Sequence, residues 1–433
     1  MIMKADLIVH NAQIVSCASR GKPLKGKEMA DAGVIKDGAV AVDAGRIVAI
    51  GASAQILREF DAAETIDAGE SVVSPGFVEC HTHIVFGGDR LNEFELKIKG
   101  ADYLEILRSG GGILSTVRQT RAASRESLVG QAWRRLDKMV ALGVTTCEIK
   151  TGYGLNEETE FKMLDVIAEL DASHPLDIVP TFLAAHAVPK DDYRAGDPTL
   201  SDEAIGDLYT DTVCRSMIPR LVGWRDAKGF DGRPMFVDVF CENGAFTLAQ
   251  SRRVLETARA SGLGIKAHVD EFKNLGGSRV CIELGATSID HLDAISDEEI
   301  VLLAGSPTIG VVTPTVNFNL GSCEFAPARK LIDAGCAIAL STDYNPGSAP
   351  CPSLPNAMAI ACRYQKMLPS EAFVAATINA AFAIGLGTET GSLEPGKWAD
   401  LIIFDTKDHR EVAYEFGGNP VKTVYKRGNR VPI

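Results

Sequence analysis

The chain has 433 residues, 46% of them hydrophobic, which is enough to bury a large interior and excludes a generally disordered chain. Its formal net charge is −13, with 57 Asp and Glu against 44 Lys and Arg, which argues against nucleic acid or an anionic membrane as the main partner. Ten cysteines stand singly with no CxxC pair, a usage that fits a reducing cytoplasm and not a disulfide framework.

From the N-terminus, Leu7-Ile8-Val9-His10-Asn11-Ala12-Gln13-Ile14-Val15 reads as a β segment and not as a signal peptide. Ala39-Val40-Ala41-Val42 and Arg46-Ile47-Val48-Ala49-Ile50 read as further short strands. Then the pattern changes to short apolar strands alternating with helical segments, over 77–84, 143–150, 177–186, 235–241, 263–271, 286–292, 308–316 and 336–343. Asn156 is placed to cap a helix whose apolar face carries Phe161, Leu164, Ile167 and Leu170. Thr247 with Gln250, and Ser296 with Glu299, have capping-box spacing. Asp400–Phe404 and Val421–Gly428 return to β character. No apolar run reaches the roughly 18 residues of a membrane span. The expectation is an α/β chain: a (β/α)8 TIM barrel over 75–389, with 1–74 and 390–433 forming one small composite β-sandwich domain.

In such a barrel, catalytic groups stand at the C-terminal ends of the strands. Six of the eight histidines fall in the barrel region, and five of those lie at predicted strand ends: His81, His83, His186, His268 and His291. His81 and His83, two residues apart on a strand, share a face. With His268 on the fifth strand and Asp343 on the eighth, they make a mononuclear set of three nitrogens and one oxygen, suited to Zn or Fe. An ion held there would acidify a water. Glu271, just past the fifth strand, is placed to take a proton and return it to a leaving nitrogen. His291, flanked by Asp290 and Asp293, is placed to stabilise an oxyanion or to orient the water. A second ion would need a partner such as Glu242 on the fourth strand; no lysine stands there, and Lys150 lies on the second. Gly110-Gly111-Gly112 lacks the lysine of a phosphate loop and reads as a flexible lid segment near the pocket.

The stretches PGFVECHTHIVFGGDRLNEFELKIKGADYLEILRSGGGI, EIKTGYGL, FLAAHAVP, CENGAF, KAHVDEF, GATSIDHLD, STDYNPGSAP and GSLEPGKWADL resemble the amidohydrolase superfamily. FGGDR, TGYGL, AAHAVP and DYNPG resemble, more narrowly, its imidazolonepropionase family, and the resemblance covers nearly the whole chain. It implies hydrolysis of 4-imidazolone-5-propanoate, a small anionic heterocycle, to N-formimidoyl-L-glutamate in histidine degradation. It implies one Zn2+ or Fe3+ per chain on His81, His83, His268 and Asp343, with Glu271 and His291 in the acid–base roles. Arg90 would pair the propanoate, Tyr153, His186 and Glu271 would hold the substrate, and Asn345, Gly347 and Ser348 would complete the pocket. A cytoplasmic homodimer is the implied form. Thr151 and Thr313-Pro314-Thr315 depart from the family pattern without touching the implied ligands. A related heterocycle deaminase, another cyclic amidohydrolase and a non-catalytic scaffold are the rival readings.

Overall fold

The computed structural model describes residues 2–100 and 111–432, so Gly110 lies outside the described residues. The chain opens with β1 (Met3–Val15), β2 (Val34–Asp43), β3 (Arg46–Ala52), β4 (Phe60–Asp67) and β5 (Val72–Pro75). Alternating side chains give β1 and β2 two apolar faces. Leu7, Val9, Val40 and Val42 enter one cluster, while Ala5, Ile8, Ala39 and Ala41 enter another with Ile56 and Phe60.

The barrel follows as β6 (Phe77–Glu79), β7 (Val144–Lys150), β8 (Asp177–Ala185), β9 (Phe236–Cys241), β10 (Gly264–Val269), β11 (Ser288–His291), β12 (Ile309–Val312) and β13 (Ile338–Leu340). All neighbours in this set pair in parallel and in chain order. Each strand is buried almost throughout, as parallel strands covered on both faces are. The chain returns as β14 (Leu401–Phe404), β15 (Val421–Lys426) and β16 (Asn429–Val431). These join the opening strands in one sheet of order β16-β15-β14-β5-β1-β2-β3, with β4 also on β1. The two chain ends meet where β14 pairs antiparallel with β5. The chain passes from this sheet into the barrel at Gly76, where a Cβ would fall 2.1 Å from Thr145 Oγ1, so only glycine fits the crossing.

The capping signals hold. Asn156 accepts from the Thr159 amide at 2.8 Å at the start of Glu157–Ser173, and both capping boxes form. The expected strands are shorter, most of all the first, seventh and eighth, the last of which spans only Ile338–Leu340. The first ends at Glu79, because beyond it the Thr82 hydroxyl donates to the Glu148 carbonyl (2.6 Å), taking up a ladder acceptor with a side chain. The seventh ends at Val312, and Pro314 opens a short helix, Pro314–Asn319, at a position that tolerates the missing N–H.

The barrel closes just past its strands. Thr82 bridges Tyr344 in parallel, and the His83 amide donates to the Tyr344 carbonyl at 2.9 Å. Below this seam the buried Glu79 carboxylate accepts from the Thr342 hydroxyl (2.7 Å) and amide (3.2 Å). The seam therefore carries His81 and His83 on one side and Asp343 on the other.

Candidate metal centre and active site

Three imidazoles and a carboxylate converge at the seam. Nε2 of His83 lies 3.3 Å from Nε2 of His81 and 3.3 Å from Nε2 of His268. Asp343 Oδ1 lies 3.4 Å from Nε2 of both His81 and His83, and no donor reaches it. The opposite nitrogens fix the tautomers of two of the three imidazoles, His83 Nδ1 having no partner among the described residues. His81 Nδ1 faces Asp290 at 2.7 Å, and His268 Nδ1 faces Asp238 at 3.0 Å. A carboxylate there holds the proton on Nδ1 and leaves a lone pair on Nε2. Unprotonated nitrogens and an orphaned carboxylate oxygen thus point at one another in a buried site, an arrangement that fits a cation. Burial, reinforced by nearby cationic groups, pushes His81 and His83 well below 6.5, which keeps them neutral as ligation requires.

Under this cluster the barrel floor is ionic. Lys150 Nζ bridges Glu148 (2.9 Å), Asp238 (2.8 Å) and Asp290 (3.6 Å), and Lys266 Nζ reaches Glu148 at 3.0 Å. All five side chains are 0% exposed. Burial alone would lower Lys150, but the carboxylates of Asp238, Glu148 and Asp290 push it above its usual 10.5 and make it a fixed cation. It touches both carboxylates that orient the metal-facing histidines. The sequence signal for this network is period 2: Glu148 and Lys150, Lys266 and His268, and Ser288 and Asp290 each share the inward face of their strand.

Above the cluster is a cavity of about 230 Å³ lined by His83, Arg90, Tyr153, His186, His268, Glu271, His291, Asp343, Asn345, Gly347 and Ser348. Every site residue expected from the sequence lines it except His81, which lies beneath its floor. Glu271 Oε2 stands 3.8 Å from His291 Nε2. Burial first, then the carboxylates of Asp343, Asp293 and Glu242, raises Glu271 well above 4.5, and burial also raises Asp343. His291 and Leu292 take positive φ, 84° and 69°, a strained end to β11 that sets the imidazole 5.1 Å from the His268 ring. Thr313 Oγ1 lies 3.1 Å from His291 Nδ1, so a residue that departs from the family pattern is a partner of the second acid–base candidate. Asp293 stands aside from the ring and accepts from Asn317 at 2.9 Å.

Glu242 is committed elsewhere. Its carboxylate accepts from the amides of Asn243 (2.7 Å), Phe272 (2.9 Å) and Lys273 (3.0 Å), and so shapes the loop that carries Glu271. His186 donates from Nδ1 to the Gly152 carbonyl at 3.1 Å and stacks on His83 at 5.0 Å. Burial lowers His186 to about 3, so Nε2 is an acceptor. Asn345 spends its whole amide on its own loop. Its Nδ2 donates to Asp343 O (2.7 Å) and Ser348 Oγ (2.9 Å), and its Oδ1 accepts from the Gly347 and Ser348 amides, both at 2.8 Å. Asn345 therefore shapes the Gly347–Ser348 turn. Arg90 reaches the cavity from the loop after the first barrel strand, paired side-on with Glu93.

Among the described residues, no helix is long and apolar enough to cross a membrane. The profile described as "Amidohydrolase family" matches residues 72–431. A protein named imidazolonepropionase from Chloroflexus aggregans is 52% identical, covering 98% of this chain and 98% of its own. One of the same name from Herpetosiphon aurantiacus is 49% identical, covering 94% of this chain and 93% of its own. An adenosine deaminase from Xanthomonas campestris with bound zinc shares the fold, with TM-score 0.69 at 20% identity over 99% of this chain and 93% of that one. The guanine deaminase of E. coli does so with TM-score 0.70 at 15% identity over 98% of each chain. Barrel, seam, convergent ligands and full-length relatives agree: the chain belongs to the amidohydrolase family and, within it, groups with the imidazolonepropionases.

Proposed function

We propose that this cavity hydrolyses the cyclic amide of 4-imidazolone-5-propanoate to N-formimidoyl-L-glutamate, a step of histidine degradation. The observation that carries the reading is that unprotonated metal-facing groups, an acid–base pair and a guanidinium with free donors open into one small cavity. His81, His83, His268 and Asp343 would hold one Zn2+ or Fe3+ per chain. When bound, such an ion acidifies water and polarises a carbonyl.

The chain's own groups do the rest. Glu271 takes a proton from the attacking water as its oxygen bonds to the amide carbon, then delivers that proton to the ring nitrogen as the C–N bond breaks. Its raised pKa suits both halves of that exchange. Thr313, by donating to His291 Nδ1, leaves the proton on Nε2, which has no other partner and is placed to steady the developing oxyanion. Tyr153 and His186 flank the heterocycle, and burial of the Tyr153 hydroxyl raises its pKa and keeps it a donor. Arg90 pairs the propanoate through its fork.

The test is ultraviolet-monitored turnover of freshly made substrate, with metal analysis on the same sample. About one Zn or Fe per chain and ring opening without ammonia release are expected. Arg90→Ala is expected to weaken capture of the propanoate by roughly 2–5 kcal/mol, while a ring analogue without the carboxylate loses far less. Equal losses for both compounds would remove Arg90 as the carboxylate partner. Full activity in metal-free protein would sink the mechanism.

A further inference from the structure

Arg90 stands at the barrel mouth, where a long flexible side chain loses much rotamer freedom if it must hold one pose. We propose that Glu93 is a positioning residue for substrate selection: it fixes the Arg90 guanidinium so that the Nη1–Nη2 edge receives the substrate carboxylate. The inference rests on Arg90 being the carboxylate partner.

Glu93 is only 7% exposed although it sits in the first turn of an otherwise open helix, Leu91–Ile98. It accepts from Arg90 Nε at 2.7 Å and Nη2 at 2.6 Å, a side-on fork. It also binds Lys97 Nζ at 2.9 Å and accepts from the Gly112 amide at 2.9 Å. The carboxylate is thus pinned from three directions, and the guanidinium inherits that rigidity. A guanidinium has about five N–H donors, and Glu93 uses the Nε and one Nη2 hydrogen. Of the three free donors, two lie on the Nη1–Nη2 edge, the geometry a second carboxylate needs. Gly347 lies against the face of the guanidinium beside Nη1: a Cβ there would fall 2.6 Å from Nη1, 2.9 Å from Cζ and 3.3 Å from Nη2. Within this cluster, Arg90 and Lys97 against Glu93 leave one net positive charge, which matches one substrate carboxylate.

Two roles for Glu93 predict opposite signs. A mere competitor for the cations would, on neutralisation to Gln, let substrate bind more tightly. A positioning residue would, on the same change, let Arg90 wander and weaken capture.

The experiment uses the metal-loaded full chain and two compounds, imidazolone propanoate and the ring analogue without its carboxylate. Glu93→Gln is expected to raise KM for the propanoate by about tenfold or more with kcat within about threefold, and to leave the analogue's KM within about threefold. In an Arg90→Ala background, Glu93→Gln is expected to add nothing, because it acts through Arg90. Glu93→Asp, which keeps the charge but shortens the reach to Nε and Nη2, is expected to give a selective rise of the same kind and decides the matter if Glu93→Gln does not fold. A KM for the propanoate that falls or stays parental in the folded variants overturns the proposal, as does a further rise in the Arg90→Ala background. If Arg90→Ala is selective for the propanoate and these variants are not, only this inference fails. If Arg90→Ala weakens both compounds alike, the carboxylate reading fails and this inference with it.

Discussion

The floor and the mouth of this site are built by different means. In the floor, His268, Asp238, Asp290 and Lys150 stand on strands and His81 and His83 just past the end of β6, all at most 3% exposed, and they are locked by ion pairs and hydrogen bonds across the barrel interior. At the mouth, Arg90, Glu93 and Lys97 lie on a loop and a short helix whose Leu91, Phe94 and Ile98 are more than half exposed. There the order comes from side chains chelating one another: Glu93 around Arg90, and Asn345 around Gly347 and Ser348. Where the fold itself places a group, disturbing it should cost stability and metal. Where side chains place it, disturbing it should cost substrate affinity and leave the fold alone.

The largest effect that tests this contrast comes from the proposed ligands. His268→Ala or Asp343→Ala is expected to empty the site by metal analysis and reduce turnover to background while the barrel stays folded. Glu271→Gln comes next. It is expected to keep the metal and the melting temperature but slow kcat by about 10²–10⁴-fold, the scale of a lost acid–base group. A variant that turned over at the parental rate would make Glu271 structural and move its role to His291.

Lys150→Met sharpens the comparison, because Lys150 touches no ligand directly yet holds both Asp238 and Asp290. Removing the cation leaves buried carboxylates unpaired, which is expected to destabilise the fold by about 3–5 kcal/mol. The loosened carboxylates are also expected to weaken metal binding by about 10–100-fold, read by chelator competition against the parent. Loss of stability with unchanged metal affinity would separate the ion network from the metal centre.

The same contrast explains what could be read from the sequence. His81, His83, His268 and Asp343 were legible because strand alternation and strand ends are one-dimensional signals. Asn156, Thr247 and Ser296 were legible as caps because a cap is local. The floor network was not, because Lys150 meets Asp238 and Asp290 only through strand order and register, across 88 residues in the first case. Its trace, charges at alternate positions of apolar strands, was in view without its partners. Glu93 failed for the opposite reason: a Glu three residues after an Arg looks like an ordinary solvated helix pair until its burial is known. The expected first strand ran past Glu79 because sequence pattern does not show that the Thr82 hydroxyl takes a ladder acceptor.

The smallest expected effect is the stability counterpart of the Glu93 clamp. Burial alone would raise the Glu93 carboxyl, but Arg90, Lys97 and the Gly112 amide hold it at about 2 against its usual 4.5. A carboxyl depressed in the folded state contributes stability that is fully present above its unfolded value and is lost as pH falls through the folded one. The window is therefore from about 4.5 down to about 2. Glu93→Gln lacks this group, so the gap in urea midpoint between parent and variant should be constant above pH 5 and shrink steadily below about 4.5. The gap itself should be about 1–3 kcal/mol, the shift setting the upper end and screening of the partly exposed Lys97 lowering it. A gap that grew in acid would mean the carboxyl is raised in the folded protein, so that Arg90 and Lys97 do not hold it. A gap as large as that of Lys150→Met would place Glu93 with the floor and erase the distinction between a site made by strands and a site made by side chains.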